Sequence, residues 1–221
     1  MNRKYLIISC LLLWVLPAAA QLTNKWEPSI RLFEKQDAAQ KPGEGAILFV
    51  GSSSIAKWTD IHAYFPNYRV LNRGFGGSEF SDLLHYADRV ILPYKPSKIF
   101  IYEGDNDVAS GKSPALIFAQ AVKLREIIRK ALPGVPVVFI SVKPSIARWH
   151  LKADFEAVNE KLKRYARRKS LTMYADVWTP MLDGSGKVLP VFLADDLHMT
   201  AAGYKIWQKA LSPYMPPAKK D

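Results

Sequence analysis

The stretch ILFVGSSS, residues 47–54, decides the fold class of this 221-residue chain. Its four consecutive apolar residues, Ile47 to Val50, are typical of a strand that is buried on both faces of a sheet, and Gly51 ends the run. Comparable β-rich runs occur at residues 69–71, 98–102, 135–142 and 171–177. The sequence therefore predicts a sheet of roughly five strands that is covered on both sides.

Amphipathic segments lie between these runs. One segment has an N-cap serine at Ser113, Pro114 at the first helical position and apolar side chains three and four residues apart, and Pro133-Gly134 ends it. Residues 151–169 predict another helix, and Thr200 predicts the N-cap of a last one. Strands that alternate with helices form parallel sheets through right-handed crossovers. We therefore predict a three-layer α/β fold.

The amino terminus has the composition of an export signal. A basic start precedes an apolar run from residue 5 to 16, and residues 18–20 form a small-residue cleavage site. We expect cleavage after Ala20. An uncleaved anchor and a lipoprotein box at Cys10 are the alternatives; the run is short for a membrane span, and it continues past that cysteine. Removal of residues 1–20 leaves a cysteine-free single domain, residues 21–221, which suits a bacterial periplasm or exterior.

The net charge is strongly positive. It is +11 for the full sequence, and loss of Arg3 and Lys4 with the signal leaves +9. Such a charge favours acidic partners, but much of the excess lies within residues 161–169, which we interpret as the solvated face of one helix. No nucleic-acid-binding module is present, so we expect no nucleic-acid partner. No second spanning run follows the signal, so we expect a soluble mature chain; the sequence carries no signal for an oligomeric state.

Four polar clusters carry the chemistry. Three follow predicted strands at residues 51–54, 72–77 and 104–107, and the fourth, residues 195–198, precedes the last helix. In parallel α/β sheets the ligand site lies beyond the carboxyl ends of the strands. The four clusters should therefore meet at one edge of the sheet, where we predict an active site.

The residue types in these clusters are those that acyl transfer needs. A serine at a strand-to-helix turn, such as Ser53, exposes its hydroxyl among free backbone N–H groups. His198 can accept the hydroxyl proton, and Asp195 can orient the imidazole. The Ser53 N–H, Gly77 and Asn106 are candidate donors for the oxyanion.

The sequence resembles the SGNH (GDSL-like) hydrolases in four blocks. FVGSSSIAKW resembles the first, VLNRGFGGS the second, YEGDNDV the G-x-N-D block and DDLHMTAAGY the D-x-x-H block. The resemblance covers essentially all of residues 21–221. It implies that Ser53 is the nucleophile, that Gly77 and Asn106 donate to the oxyanion, and that Asp195 and His198 are the acid and the base. It also implies a flavodoxin-like sandwich with strand order 2-1-3-4-5, ester substrates, and neither metal nor cofactor.

The first block departs from the family pattern, because Ser52 stands where the family has aspartate. The glycine spacing and Trp58 favour Ser53 as the nucleophile, with Ser54 as the alternative. Glu103 is a large acidic residue ahead of the G-x-N-D core. We expect it either to face the cleft or to form an ion pair with an arginine such as Arg73.

The substrate is less well defined by the sequence. Trp149, Arg73 and Glu103 are candidate substrate-binding residues, because they lie near the predicted strand ends. The chain has no long apolar lid insertion, so we expect short-acyl, acetyl-type esters on a small molecule or a glycan. A lysophospholipase or lipase, a non-catalytic envelope binding protein on the same fold, and a phosphodiester-processing enzyme are the alternatives.

Overall fold

The computed structural model describes residues 25–216, so the predicted signal peptide and Cys10 lie outside the described residues. Five strands form one parallel sheet in the order β2-β1-β3-β4-β5. In chain order they are β1 (Ile47–Gly51), β2 (Val70–Gly74), β3 (Lys98–Tyr102), β4 (Val137–Ile140) and β5 (Thr172–Ala175). The predicted α/β fold and its strand order are confirmed.

Nine α-helices connect and cover these strands within the described part of the chain. They are α1 (Glu27–Ala39), α2 (Ser53–Ala56), α3 (Ile61–Tyr64), α4 (Phe80–His85), α5 (Ala87–Val90), α6 (Asp105–Ala109), α7 (Pro114–Ala131), α8 (Lys152–Ala166) and α9 (Ala201–Leu211). Short 3-10 turns lie at Leu92–Tyr94, Trp149–Leu151, Thr179–Met181 and Ser212–Tyr214. No helix among residues 25–216 combines the length and the apolar character that crossing a bilayer requires.

Alternate residues of each strand point to opposite faces of the sheet, and this produces two hydrophobic clusters. On one face Leu48 and Val50 of β1 pack in a cluster with residues of α1, α4, α5, α7 and α8. On the other face Ile47 and Phe49 pack in a cluster with residues of α2, α3 and α9. All five residues of β1 are buried, as the continuous apolar run predicts for a central strand. The sheet is therefore the middle of three layers.

Of the two predicted helix N-caps, the one at Ser113 is present and the one at Thr200 is not. The Ser113 hydroxyl accepts the Leu116 N–H at 3.3 Å, so the predicted N-cap of α7 is present. Thr200 stands at the N-cap position of α9, but its side chain caps no helical N–H. Its hydroxyl instead donates to the Val191 carbonyl at 3.1 Å, which ties the start of α9 to the segment before it.

The strand register brings the predicted clusters to one edge. Gly51 at the end of β1 lies opposite Gly74 of β2 and Tyr102 of β3. A side chain at Gly51 would collide with the Tyr102 carbonyl oxygen, so the close approach of the two strand ends requires glycine there. The chain order reverses between β1 and β3, and ligand sites of such sheets lie at this switch point. The segments after β1, β2 and β3 therefore share one cleft edge.

Candidate active site

Three consecutive serines follow β1, and burial distinguishes them. Ser52 and Ser54 are only 1% and 3% exposed, whereas Ser53 is partly exposed at the first position of α2. The Ser54 carbonyl accepts a hydrogen bond from the Tyr204 hydroxyl at 3.0 Å, which fixes the turn from the side of α9. A nucleophile must reach a substrate, so the geometry favours Ser53 over Ser54.

Two backbone N–H groups at and near Ser53 are candidate donors to a substrate oxygen. Within residues 25–216 neither the Ser53 N–H nor the Gly77 N–H has a hydrogen-bond acceptor. Gly77 has φ +79°, a conformation that favours glycine. A Cβ placed on the neighbouring Gly76 would lie 3.7 Å from the Ser53 Cβ. The turn after β2 therefore packs directly against the turn that carries Ser53. Unpaired N–H groups beside a reactive hydroxyl are the elements of an oxyanion hole.

Asn106, in the first turn of α6, is held on both sides of its amide. Its Nδ2 donates to the Ser78 carbonyl at 2.9 Å, and its Oδ1 accepts from Arg148 Nη1 at 3.1 Å. An amide nitrogen carries two hydrogens, so one N–H remains without an acceptor in the described chain. Since Ser78 follows Gly77, the Asn106 bond also joins the two predicted donor segments.

Asp195 and His198 lie in one turn and contact each other directly. Asp195 Oδ2 is 2.6 Å from His198 Nδ1, and Asp195 Oδ1 accepts the backbone N–H groups of Leu197 and His198 at 3.0 and 2.9 Å. The hydrogen bond from the His198 side chain, followed by these backbone bonds, lowers the pKa of Asp195 far below its usual range. An ionised carboxylate only accepts, so the Nδ1 atom of a neutral His198 carries its proton and Nε2 is left as the basic atom.

Backbone hydrogen bonds hold the Asp195–His198 turn in place. The Leu193 N–H donates to the His198 carbonyl at 2.7 Å and the Asp196 N–H to the Leu193 carbonyl at 2.9 Å. Asp196 has φ +55° and its carbonyl accepts the Ala147 N–H at 3.1 Å. This last bond attaches the turn to the loop that follows β4, at the same carboxyl edge as Ser53.

A buried charge cluster lies beneath this edge. Asp105 is 5% exposed; it accepts hydrogen bonds from Arg148 Nη1 at 2.6 Å, the Tyr102 hydroxyl at 3.0 Å and Lys143 Nζ at 3.3 Å. Burial by itself raises the pKa of a carboxyl, but Lys143 and Arg148 outweigh it and hold the pKa of Asp105 below its usual value. Burial lowers the pKa of the Lys143 ammonium.

Glu103 forms a second buried acidic site. It is 1% exposed, its Oε1 accepts the Ser78 hydroxyl at 2.6 Å, and its Oε2 has no partner in the described chain. Burial, with a smaller contribution from the nearby Asp107 charge, raises the pKa of Glu103 well above its usual value. Through its bond to Ser78, the Glu103 side chain supports the segment that carries Gly77.

The three predicted substrate-binding residues occupy different environments. Arg73 is 6% exposed and pairs with Asp37 of α1, and its Nε donates to the Tyr94 hydroxyl at 2.7 Å. The expected ion pair between Arg73 and Glu103 does not form. The Arg73 guanidinium pairs with Asp37, and the buried Glu103 accepts the Ser78 hydroxyl. Neither residue is exposed to a substrate in this structure.

Trp149 lines an open cavity on the side of the molecule that carries Asp195 and His198. Its ring stacks on Trp178 with centroids 5.9 Å apart, and Lys152 Nζ lies 5.1 Å above it. With Ile146 and Val188 it lines a cavity of about 330 Å³ with a mainly apolar surface. Ile146 is next to Ala147, whose N–H donates to the Asp196 carbonyl, so this cavity adjoins the Asp195–His198 turn.

The sequence did not predict the long-range interactions that hold the site residues in place. The ion pair of Asp105 with Lys143, the bond from Tyr204 to Ser54 and the link from Asn106 to Ser78 join residues far apart in the chain. A lysine directly after an apolar strand, as in Ser141-Val142-Lys143, was the available signal, because a buried lysine requires an anionic partner. Among the described residues no group of three or more His, Cys, Asp or Glu is arranged to hold a metal ion.

The sequence matches a protein-family model over most of its length. The model of the GDSL-like lipase/acylhydrolase family matches residues 45–206, which include every strand and every predicted catalytic residue. The chain belongs to the GDSL-like lipase/acylhydrolase family. As a member of this family it is a carboxylic ester hydrolase. No curated protein matches the sequence.

Solved structures share the fold at low sequence identity. A protein from Streptococcus pneumonia, provisionally described as a platelet activating factor, is 20% identical with a TM-score of 0.76, over 89% of this chain and 97% of that one. A GDSL-like lipase from Bacteroides thetaiotaomicron is 20% identical with a TM-score of 0.73, over 84% and 96%. A variant of an acetylxylan esterase from Geobacillus stearothermophilus is 16% identical with a TM-score of 0.62, over 77% and 94%. At these identities the likeness is one of fold.

Proposed function

We propose that this GDSL-family hydrolase cleaves short-acyl esters through a Ser53–His198–Asp195 triad and an acyl-enzyme. The observation that carries the proposal is the 2.6 Å contact between Asp195 and His198, in a turn attached to the cleft edge where Ser53 is exposed. A non-catalytic binding protein would not need this pair beside free N–H donors. The geometry therefore favours the hydrolase over the binding-protein alternative.

The reaction has two steps. Ser53 Oγ attacks the ester carbonyl carbon while His198 Nε2 takes the hydroxyl proton, and the negative charge moves to the carbonyl oxygen. The Ser53 and Gly77 N–H groups and the Asn106 amide donate to that oxygen. The intermediate collapses, and the leaving alkoxide takes the proton from His198. Water then attacks the acyl-enzyme, His198 takes its proton, and the carboxylic acid and the free Ser53 hydroxyl are released.

Asp195 stabilises the imidazolium that forms in each step. Its carboxylate remains ionised because its pKa is strongly lowered by the hydrogen bond from His198. The bond to Nδ1 also fixes the tautomer that leaves Nε2 free to act as base.

We further propose that the acyl group is acetyl-sized and that the alcohol part is a small molecule or a carbohydrate. Residues 179–199 form a 3-10 turn and two isolated β-bridges, Leu182 with Val188 and Phe192 with Met199, and contain no amphipathic helix. Without a lid, a long acyl chain remains on an open surface and does not gain the ~0.8 kcal/mol that each fully buried CH₂ contributes. The acetylxylan esterase among the fold relatives is consistent with this choice.

The test of the proposed function is a chain-length series of p-nitrophenyl esters. We expect kcat/KM to be highest from acetyl to butyryl and to fall for longer chains, and acetylated xylan and acetylated peptidoglycan fragments then test the carbohydrate part. A preference for decanoate would favour the lipase or lysophospholipase alternative. Hydrolysis of bis-p-nitrophenyl phosphate without ester hydrolysis would favour the phosphodiester alternative.

We also propose that the protein is exported. Residues 1–20 act as a signal peptide, and cleavage after Ala20 leaves residues 21–221 as one hydrolase domain in the periplasm or outside the cell. The intact mass of the protein purified from the periplasm or medium of an expressing bacterium tests this. A mature chain that begins at Gln21 is expected, and retention of residues 1–20 would contradict the proposal.

A further inference from the structure

Arg148 contacts two consecutive residues at the start of α6. Its Nη1 donates to Asp105 Oδ1 at 2.6 Å and to Asn106 Oδ1 at 3.1 Å. The side chain is 21% exposed, so most of it is enclosed at the cleft edge. Its Nε and Nη2 have no acceptor within residues 25–216. A single guanidinium nitrogen therefore joins the buried charge cluster to a candidate oxyanion donor.

This contact determines which way the Asn106 amide faces. In the observed orientation the carbonyl oxygen meets a donor, Arg148, and the nitrogen meets an acceptor, the Ser78 carbonyl. A rotation of 180° would place the amide nitrogen against the guanidinium and the amide oxygen against the Ser78 carbonyl. Both new contacts would be repulsive, because donors would face donors and acceptors would face acceptors. Arg148 and the Ser78 carbonyl thus together select the orientation in which the second N–H of Asn106 is left for a ligand.

Asp105 holds the Arg148 side chain in position. Its carboxylate is buried and also bound by Lys143 Nζ and the Tyr102 hydroxyl. A buried carboxylate that is held by three donors is a rigid anchor.

We propose that Arg148 is a positioning residue of the oxyanion hole, which holds the Asn106 amide so that its free N–H is directed at the developing charge. The inference rests on the proposed function, because it takes Asn106 as an oxyanion donor. Arg148 acts through Asn106, and within the described residues its hydrogen bonds go to Asp105 and Asn106. Removal of the guanidinium therefore lowers the stabilisation of the transition state and leaves ground-state binding nearly unchanged.

A double-mutant cycle between Arg148 and Asn106 separates this role from direct substrate contact. Arg148→Met should lower kcat by about 10- to 100-fold with KM changed by less than about threefold, because a misdirected donor loses part of the 10²- to 10³-fold effect of a complete one. In an Asn106→Ala background the same substitution should lower kcat by less than about threefold. Arg164→Met, on the exposed surface of α8, is the matched control for loss of one arginine.

Equal kcat losses for Arg148→Met in the two backgrounds would overturn the inference, because Arg148 would then act independently of Asn106. A change confined to KM would overturn it too and would make Arg148 a substrate-binding residue. Thermal denaturation identifies variants that lose their fold. If Arg148→Met does not fold, Arg148→Lys carries the same cycle, since it keeps a cation for Asp105 but lacks the planar guanidinium.

The side-chain amide signals of Asn106 give a readout that does not depend on activity. In ¹⁵N-labelled protein, the pair of signals that disappears in Asn106→Ala belongs to this residue. Arg148→Met should shift or broaden that pair, and Arg164→Met should not; an unchanged pair in Arg148→Met would overturn the inference. If Asn106→Ala leaves kcat unaltered while Arg148→Met moves the signals, the proposed role of Asn106 fails and the positioning contact stands.

Discussion

The proposed oxyanion side of the site, with Asp105, Asn106 and Lys143, and the proposed acid–base turn, residues 195–198, are held in contrasting ways. On the oxyanion side Asp105 and Lys143 are 5% and 1% exposed, and their bonds connect α6 to the ends of β3 and β4. In the acid–base turn the Asp195 side chain is 48% exposed, and its bonds reach only residues two and three positions along the chain. The proposed oxyanion donor Asn106 is thus fixed by the core, whereas the proposed base His198 lies on a surface turn.

This difference has a physical reason. Stabilisation of a developing charge requires dipoles that do not reorganise, and a buried, fully bonded cluster provides them. Proton transfer requires only that one imidazole be oriented, and a local turn can do this. Substitutions on the buried side should therefore alter both stability and kcat, while substitutions in the turn should alter kcat alone.

Loss of the proposed nucleophile, Ser53, should have the largest effect. Ser53→Ala should lower kcat by about 10⁴- to 10⁶-fold, because the members of a triad act as a unit. Ser54→Ala is the matched control and should retain activity, since Ser54 is buried. Steady-state kinetics on p-nitrophenyl acetate measures both, and an active Ser53→Ala with an inactive Ser54→Ala would move the nucleophile by one residue.

Asp195→Asn tests the exposed turn, residues 195–198, alone. An amide in place of the carboxylate presents a donor to Nδ1 and favours the wrong imidazole tautomer, so kcat should fall by about 10³- to 10⁴-fold. The midpoint of thermal unfolding should change by less than about 2 °C, because surface substitutions away from the core have small effects. A large fall in that midpoint would show that the turn is part of the folded core. Asp196→Asn, one residue away, is the control for charge.

Asn106→Ala tests the proposed oxyanion side. It should lower kcat by about 10²- to 10³-fold with a much smaller change in KM, because the amide binds charge that exists only in the transition state. It should also lower the midpoint of unfolding, since the Ser78 carbonyl and Arg148 both lose a partner. A loss confined to KM would make Asn106 a ground-state binding residue.

Glu103→Gln should have the smallest effect and a distinctive pH dependence. Burial raises the pKa of Glu103, so the folded state holds a proton that the unfolded state releases above its ordinary pKa of about 4.3. Stability therefore falls as the pH rises from that value toward the raised pKa. Glutamine mimics the protonated carboxyl and removes this loss, so the variant should be more stable than the wild type at pH 8 and similar at pH 4.

Thermal unfolding at the two pH values measures this difference. Each pKa unit corresponds to about 1.4 kcal/mol, and each kcal/mol to about 2–4 °C in a domain of this size. A variant that is less stable than the wild type at pH 8 would mean that Glu103 is ionised in the folded state.

The sequence predicted those features that depend on neighbours in the chain. The apolar run of β1, the Ser113 cap and each of the four family blocks lie within a few residues, so local pattern is sufficient. Helix α1 was not predicted, because its sequence is largely polar and only Ile30 is buried in it. The Asp37 partner of Arg73 lies in that helix, and for this reason the expected pairing with Glu103 was wrong. Partners chosen by packing between distant segments leave no local pattern.

Covalent labelling tests the central claim, that Ser53 is the nucleophile, most directly. A serine-directed organophosphonate should inactivate the enzyme with the addition of one label, and peptide mass spectrometry should place that label on Ser53. Asp195→Asn and His198→Ala should slow the labelling strongly, because Ser53 loses its base. A label on Ser54, or esterase activity that survives complete labelling of Ser53, would contradict the account.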